Sequence, residues 1–137
     1  MRFLMTFTAA AALGAVAVAA APVQKRATSR ADKDRVAYEK LLAGKTPGKP
    51  LDCIDTRRTR PQLTAYGDKL IYRVSRKLVY VTDTGGGCEA VSRGDTIITR
   101  QFQTQLCRGD IARTVNLPAG IPSGSCAMGA FVPYRSQ

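Results

Sequence analysis

The stretch LIYRVSRKLVYVT, residues 70–82, decides the fold. Its two halves, Leu70–Val74 and Leu78–Thr82, are rich in β-branched and aromatic residues, and their side chains follow the period of two that is typical of β-strands. Ser75-Arg76-Lys77 forms a short polar connection between them. The stretch therefore predicts an antiparallel β-hairpin.

Similar patterns on both sides of this hairpin predict further short strands. The expected strands are Leu63–Tyr66, Thr96–Phe102, Ile111–Val115 and Ala130–Tyr134, with Gly85–Gly87 and Pro118–Gly124 as loops. Pro133 cannot donate a ladder hydrogen bond, so we expect it to end the last strand or to place that strand at an edge. About six or seven short strands at this spacing indicate a mainly β domain, an antiparallel meander that closes as a small barrel or folds as a sandwich.

One short helix is predicted N-terminal to the strands. Ser29 and Asp32 have the spacing of a capping box, and Ala31–Ala43 contains no helix breaker. Gly44 is a natural C-terminal cap, and residues 45–50 have the composition of a linker. The helix is expected to pack across one end of the β domain or to lie outside it, through a narrow apolar stripe of Val36, Ala37, Tyr38 and Leu41.

The start of the chain has the layout of a secretory signal peptide. Arg2 gives a short positive region, an alanine-rich run follows, and Val18-Ala19-Ala20 offers small residues for cleavage before Ala21. Cleavage one residue later would put Pro22 directly after the cut, which suits a protease site poorly. The apolar run is too short for a membrane anchor.

We therefore expect an exported protein, periplasmic or extracellular, without a transmembrane anchor in its mature form. The expected segments are a signal peptide at 1–20, a basic segment with helix and linker at 21–50, and a disulfide-stapled β domain at 51–137.

The cysteines indicate disulfide bonds. An even count in a small exported domain predicts two disulfides among Cys53, Cys88, Cys107 and Cys126. A zinc site is the alternative, but zinc ligands come in close pairs about two to four residues apart, and these cysteines do not. Three pairings are possible, and we prefer the nested one, Cys88–Cys107 with Cys53–Cys126.

The chain is strongly basic, with 21 Lys and Arg against 10 Asp and Glu and a formal net charge of +11. Such a surface attracts polyanions at long range. Tyrosines interleave with basic residues around the hairpin, as in single-stranded nucleic-acid binders, but export separates the protein from most nucleic acid. An anionic polymer or lipid surface of the envelope is therefore the expected anionic partner. The candidate anion-binding residues are Arg57, Arg58, Arg60, Arg73, Arg76 and Lys77.

The composition excludes several kinds of catalysis. Histidine is absent, which excludes nucleophilic mechanisms with a histidine base and zinc held by histidine. Glycoside hydrolysis would need two carboxylates, and no spacing selects a pair among Asp52, Asp55, Asp68, Asp83, Glu89, Asp95 and Asp110. The sequence therefore predicts no catalytic residue, no metal ligand and no cofactor site.

One triplet imitates a catalytic motif. Asp83-Thr84-Gly85 follows an apolar strand, as the active-site triplet of an aspartic protease does. The supporting apolar-apolar-Gly segment is missing, because Ile97-Ile98 is followed by Thr99. We therefore expect Asp83 to be structural or solvent-facing, at the start of a glycine-rich turn.

The tripeptide Arg-Gly-Asp occurs twice, at 93–95 and 108–110. Integrins recognise this tripeptide, but Gly-Asp is also ordinary turn chemistry. Gly109 can adopt a positive φ, and Asp110 can accept backbone N–H bonds, so we predict that these two residues form a structural turn beside a disulfide. Asp95 has no neighbouring cysteine and is expected to be more exposed than Asp110.

Turn-and-cysteine patterns give the chain a family resemblance. They lie in Leu106–Ile111 and Ser125–Tyr134, and Gly85–Cys88 and Tyr72–Val74 fit the same pattern. In these segments the chain resembles a domain-of-unknown-function family of small exported four-cysteine proteins of Gram-negative bacteria. The resemblance covers about Leu51–Tyr134. Because no function is assigned to that family, the resemblance implies no functional residues.

The leading functional interpretation is an exported, non-enzymatic domain that binds an envelope component or stabilises an envelope assembly. One alternative is direct binding of anionic envelope polymers or lipids, which salt would weaken steeply. Another alternative, from a different class, is a carboxylate-based hydrolase, which would need a cleft holding two carboxyl groups with raised pKa values.

Overall fold

The predicted hairpin lies at the centre of the fold. The computed structural model describes residues 29–100 and 104–137. The strands in these residues are β1 (Thr46–Pro47), β2 (Cys53–Ile54), β3 (Gln62–Tyr66), β4 (Lys69–Arg73), β5 (Leu78–Asp83), β6 (Thr96–Thr99), β7 (Leu106–Cys107), β8 (Ile111–Asn116), β9 (Ile121–Ala127) and β10 (Phe131–Arg135). The helices are α1 (Arg30–Leu42), the one-turn α2 (Thr56–Thr59) and a 3-10 helix (Glu89–Arg93). The strands form three antiparallel sheets, which confirms the predicted mainly β class.

The largest sheet has the strand order β1-β10-β5-β4-β3 and is called the central sheet below. Its hairpin register places Tyr72 opposite Tyr80. Ser75 closes the hairpin turn, because its Oγ accepts the backbone N–H of Leu78 at 3.1 Å. The polar connection that the sequence predicts is therefore a hydrogen-bonded turn.

Successive side chains along a strand point to opposite faces, and both faces of the central sheet are apolar. Ile71, Val79 and Val81 are buried together on one face. Leu70 and Phe131, at 1% and 0% exposure, belong to the larger core on the opposite face. Burial on both faces explains why the hairpin carries apolar residues at successive positions.

Helix α1 covers the first of these faces. The predicted capping box is present: the Ser29 hydroxyl accepts the N–H of Asp32 at 3.2 Å, and the Asp32 carboxylate accepts the N–H of Ser29 at 3.2 Å. Tyr38 and Leu41 pack against the central sheet. Val36 is 54% exposed, so the predicted apolar stripe is wrong at that position.

Two smaller sheets cover the opposite face. Strands β6, β8 and β9 form one of them, and β2 pairs with β7 in the other. Ala112 and Cys126 from the three-stranded sheet share a core cluster with Leu70 and Phe131 of the central sheet. The sheets do not close into a barrel, so the barrel alternative is wrong.

The strands that the sequence does not predict are β9 and the two-residue strands β1, β2 and β7, which are too short to show a period. Strand β1 lies in the predicted linker and pairs with β10, so β10 is not an edge strand. Pro133 is tolerated there because its carbonyl accepts the N–H of Gly48 at 2.7 Å. The nitrogen and the carbonyl of one strand residue point towards the same neighbouring strand, so the Pro133 nitrogen faces β1. Because β1 has two residues, few ladder hydrogen bonds are required on that side.

The turn between β8 and β9 is shorter than predicted. Strand β9 begins at Ile121, so Pro122–Gly124 lies in a strand and not in a loop. A β-bulge shifts the register between Thr114 and Val115. Strand β6 ends at Thr99, earlier than predicted. The last residues of that predicted strand, 101 and 102, lie outside the described residues.

The two predicted disulfides are present, but in a different pairing. Cys53–Cys107 joins β2 to β7, whose register places the two cysteines opposite each other. Cys88–Cys126 joins the glycine-rich loop to β9. The preferred pairing, Cys88–Cys107 with Cys53–Cys126, is therefore wrong. The pairing of β2 with β7 instead brings together Cys53 and Cys107, which are 54 positions apart.

Glycines allow two backbones to touch beside the Cys88–Cys126 bond. A Cβ at Gly87 would overlap the carbonyl oxygen of Ser125, and a Cβ at Gly124 would overlap the carbonyl oxygen of Gly87. Gly87 also has a φ of +92°. Both conditions require glycine, which explains part of the Gly85–Gly87 run.

The predicted signal peptide at 1–20, and residues 21–28 of the basic segment, lie outside the described residues. In the described part of the chain, no helix has the length and apolar character needed to cross a membrane. The two disulfides are consistent with an exported protein.

Candidate anion-binding site

Four basic side chains line one cavity where the end of α1 meets the β4–β5 hairpin. Lys40 comes from the last turn of α1, and Lys45 follows the helix. Arg73 is the last residue of β4, and Arg76 lies in the hairpin turn. The cavity has a volume of about 410 Å³. This group is called the basic cavity below.

The packing of α1 places the two lysines over the hairpin. Leu41 and Leu42 rest on the buried face of the central sheet. Beyond them Gly44 turns the chain at a φ of +70°. Lys45 is then held in place, because its Nζ donates to the carbonyl oxygen of Leu41 at 2.8 Å. A cation beside the last carbonyls of a helix is also favoured by the helix dipole.

The hairpin turn positions the two arginines. Ser75 lines the basic cavity, and its hydroxyl accepts the N–H groups of Lys77 and Leu78 at 3.2 and 3.1 Å. Arg76 lies inside this closed turn and is exposed, as is Arg73. The guanidinium groups are therefore carried on an ordered scaffold and face solvent.

Among the described residues that line the basic cavity there is no Asp or Glu. The ion pairs within residues 29–100 and 104–137 are Arg35–Glu39, Arg58–Asp55, Lys69–Asp68 and Lys69–Asp83, and none includes a cation of the cavity. Like charges close together raise the free energy of the site. An anion that binds there would lower it.

The other predicted anion-binding residues are not part of this group. Arg57 and Arg58 lie on α2, where the Nε of Arg58 is 3.7 Å from an oxygen of Asp55. Arg60 follows α2 and lines a different cavity, together with Tyr72. Lys77 is exposed in the hairpin turn but does not line the basic cavity. The structure thus brings together Arg73 and Arg76 and separates the rest.

Sequence reasoning missed Lys40 and Lys45. Both belong to the segment that was predicted as a helix and linker outside or across one end of the β domain. Their proximity to Arg73 depends on where α1 packs, and that is decided by Leu41 and Leu42. The basic residues in the last turn of α1 were the available signal.

Three carboxyl groups, those of Asp34, Asp68 and Glu89, line one cavity of about 440 Å³, and Asp83 lies outside it. Lys69 donates a hydrogen bond to Asp83 and lowers the pKa of that exposed carboxyl group. Hydrogen bonds from backbone N–H groups lower the pKa of Glu89. A carboxyl group that acts as a general acid needs the opposite shift. Within the described residues, no three side chains of His, Cys, Asp or Glu are grouped as metal ligands.

The structure places Gly109 and Asp110 in a turn beside the Cys53–Cys107 disulfide. Gly109 has a φ of +88°, and Asp110 Oδ2 accepts the N–H of Cys107 at 2.8 Å. The turn also docks on the chain before β10, because the N–H of Gly109 donates to the carbonyl oxygen of Met128 at 2.8 Å. These bonds give both residues a structural role.

The expected difference in exposure between Asp95 and Asp110 stays a prediction. Both side chains are half-buried. Hydrogen bonds from Ser123 and Asn116 lower the pKa of Asp95. Asn116 Nδ2 donates to Asp95 at 3.0 Å, so the β8–β9 hairpin supplies partners that the local sequence around Asp95 does not reveal.

Comparison with protein-family models, with curated proteins and with solved structures finds no match to this chain. The chemistry of the site therefore has to be inferred from its own residues. Two lysines and two arginines can hold a phosphate, sulfate or carboxylate group by charge and hydrogen bonds.

Proposed function

We propose that this protein is an exported, non-enzymatic domain that binds anionic groups of an envelope polymer or lipid in the basic cavity. The proposal is carried by one observation: Lys40, Lys45, Arg73 and Arg76 line a single cavity whose lining contains no carboxylate. Cations gathered in this way stabilise a bound anion by charge and by hydrogen bonds. The leading interpretation of a non-enzymatic binding domain thus becomes more specific.

Export is part of the same proposal. Residues 1–20 act as a signal peptide with cleavage before Ala21. Two disulfides suit an oxidising compartment, either the periplasm or the medium. Membership in the resembled family of small exported four-cysteine proteins is consistent with this location.

The chemistry of the basic cavity favours oxyanions on an extended ligand. Arginine presents a planar fork that matches phosphate and carboxylate oxygens, and lysine adds a compact charge. Arg73 and Arg76 are both exposed, so a polymer or a lipid surface can reach them without a conformational change. The overall charge of +11 adds long-range attraction to any polyanion.

The test compares two double variants with the same change in net charge. Arg73→Gln/Arg76→Gln removes the arginines of the basic cavity, and Arg57→Gln/Arg58→Gln removes two exposed arginines from α2. The probes are soluble polyphosphate and vesicles that contain phosphatidylglycerol. We expect the cavity variant to lose at least about tenfold in affinity for the bound probe, because one charge-assisted hydrogen bond contributes about that much. The α2 variant should lose less than about threefold at physiological salt, where exposed distant charges are screened.

The two probes separate a lipid surface from a free polymer. Binding to polyphosphate alone assigns the site to polymers, and binding to vesicles alone assigns it to lipids. Equal losses in the two double variants would mean that net charge alone drives the interaction, and the basic cavity would not be the site. No binding of wild-type protein to either probe at low salt would contradict the proposal as a whole.

A further inference from the structure

A second cavity, of about 480 Å³, lies on the outer face of the three-stranded sheet. Its floor is apolar and comes from all three strands. The apolar lining residues are Ile98, Ile111, Val115 and Pro122. Most antiparallel sheets with a solvent-facing side carry polar residues there. Here Ile98 and Ile111 are 50% and 51% exposed, so this outer face departs from that rule.

Strand geometry explains why these residues lie together. Ala112 and Thr114 of β8 are buried in the core, so Ile111, Arg113 and Val115 face outward. Ile98 of β6 pairs with Arg113. Pro122 of β9 pairs with Val115 next to the β-bulge. A bulge bends and twists its strand, which makes this face concave.

Two arginines accompany the apolar floor. Arg113 stands in the middle strand, and Arg100 lies opposite Ile111, to whose carbonyl oxygen its backbone N–H donates at 3.3 Å. Neither arginine takes part in an ion pair within the described residues. The cavity contains one acid, Asp110, whose Oδ2 already accepts the N–H of Cys107. The lining thus carries one more cation than anion.

We propose that this cavity, called the apolar cavity below, binds a single-chain anionic amphiphile: an alkyl chain with one anionic head group. Ile98, Ile111, Val115 and Pro122 would contact the chain, and Arg100 and Arg113 would pair with the head group. The volume of about 480 Å³ falls within the range of small-molecule sites, which are mostly apolar with a few convergent polar groups. Charge complementarity selects an anion over a cation or a neutral chain. This inference does not depend on the proposed function of the basic cavity.

The probe for the test is dodecanoate, used below its critical micelle concentration. Binding is followed by isothermal titration calorimetry and by NMR of isoleucine methyl groups. We expect saturable binding of one molecule per protein, with shifts of the Ile98 and Ile111 methyl signals. Decanoate should bind more weakly, by about fourfold for each methylene group lost from the cavity. Dodecyltrimethylammonium and dodecyl maltoside should bind at least about tenfold more weakly than dodecanoate.

Four variants locate the site. Arg113→Gln and Ile111→Ser both lie on the outer face, so folding should be preserved, and each should weaken dodecanoate binding by about tenfold. The matched control is Ile121→Ser. Ile121 is an equally exposed isoleucine, at 61%, but it does not line the apolar cavity. This control should bind like wild type, and so should Arg73→Gln/Arg76→Gln, which changes only the basic cavity.

Four results would overturn this proposal. Equal binding of the cationic and anionic chains would show an unselective apolar surface. Equal effects of Ile121→Ser and Ile111→Ser would place binding elsewhere. Vesicle binding that depends on Leu117 and Ile121, without binding of monomeric dodecanoate, would identify a membrane-docking hairpin. Dimerisation in sedimentation experiments that Ile111→Ser abolishes would show that a second copy of the chain covers this face.

Discussion

The central sheet and the three-stranded sheet are held together by different means. The central sheet has apolar side chains on both faces, with Val79 and Phe131 at 0% exposure, and it contains no cysteine. The three-stranded sheet is tied to the glycine-rich loop by Cys88–Cys126 and exposes Ile98 and Ile111 on its outer face. Side-chain packing on both faces stabilises the first sheet. A disulfide bond supplements a one-sided core in the second.

Removal of the Cys88–Cys126 bond is the strongest way to test this contrast. The bond closes a separation of 38 positions, so Cys88→Ala/Cys126→Ala should lower the free energy of unfolding by about 4 kcal/mol in the chain-entropy model. Urea melts measure the loss. Amide hydrogen exchange should accelerate more in β8 and β9 than in β4 and β5. Equal acceleration in both sheets would show that they unfold as one unit and that the contrast has no energetic meaning.

The glycine contacts beside that disulfide give the next largest effect. Gly87 and Gly85 both have a positive φ, at +92° and +65°. A Cβ at Gly87 would overlap the backbone of Ser125, whereas a Cβ at Gly85 would meet no atom within 4 Å. Gly85→Ala should therefore cost about 1–2 kcal/mol for backbone strain alone. Gly87→Ala should cost about 2 kcal/mol more, because the two backbones must separate.

Thermal melts of the two alanine variants measure this difference. Ser125→Ala serves as a control for side-chain loss in the same contact, because the overlap involves the Ser125 backbone. Equal costs for the two glycine substitutions would mean that the approach of the glycine-rich loop to β9 is not needed for stability.

The contrast between the central sheet and the three-stranded sheet also explains which features could be predicted from the sequence. Residues 70–82 form two strands and a turn, and both the strands and the turn could be predicted from the local sequence. The capping box of Ser29 and Asp32 is equally local, and it is present. The disulfide pairing depends on the two-residue pairing of β2 with β7, and no local pattern encodes that contact. The apolar cavity arises from a bulge between Thr114 and Val115, which alternation does not reveal.

Only half of the basic cavity could be predicted, because only its two arginines are close together in the local sequence. Arg73 and Arg76 belong to one hairpin, so their proximity follows from the local sequence. Lys40 and Lys45 approach them because Leu41 and Leu42 dock on the central sheet. A helix with a narrow apolar stripe can dock at several places, and only the tertiary structure selects one of them.

Two buried threonines, one in each sheet, should respond to valine in opposite directions. Thr82 and Thr114 are both 0% exposed. Thr82 Oγ1 has no hydrogen-bond partner among the described residues, whereas Thr114 Oγ1 shares a hydrogen bond with the hydroxyl of Ser123 at 3.0 Å. Thr82→Val should stabilise the protein by about 1 kcal/mol, because it removes a buried polar atom without a partner. Thr114→Val should destabilise it by about 1 kcal/mol. Chemical denaturation distinguishes the two signs, and a loss of stability in Thr82→Val would show that this hydroxyl is satisfied in solution.

The smallest expected effect is that of the exposed ion pair between Lys69 and Asp83, which closes one end of the central hairpin. The register places the two residues opposite each other, with Nζ 2.9 Å from Oδ2, and Asp83 Oδ1 also accepts the N–H of Gly85 at 2.9 Å. The hydrogen bond from Lys69 is the main reason that the pKa of Asp83 lies below its ordinary value.

Because this pKa is lowered in the folded state, the ion pair makes its full contribution to stability above the ordinary pKa of aspartate. That contribution is lost as the pH falls through the pKa of Asp83 in the folded protein. The Asp83 side chain is 59% exposed, so solvent screens the pair, and Asp83→Asn should cost less than about 0.5 kcal/mol at pH 7. The pKa of Lys69 is raised by the same bond, so its contribution disappears only as the pH rises above its ordinary value. In urea melts, wild type and Asp83→Asn should therefore differ slightly at pH 7, and the difference should shrink as the pH falls below the ordinary pKa of an aspartate. A cost of several kcal/mol at pH 7 would show that this charge pair, and not apolar packing alone, holds the central sheet.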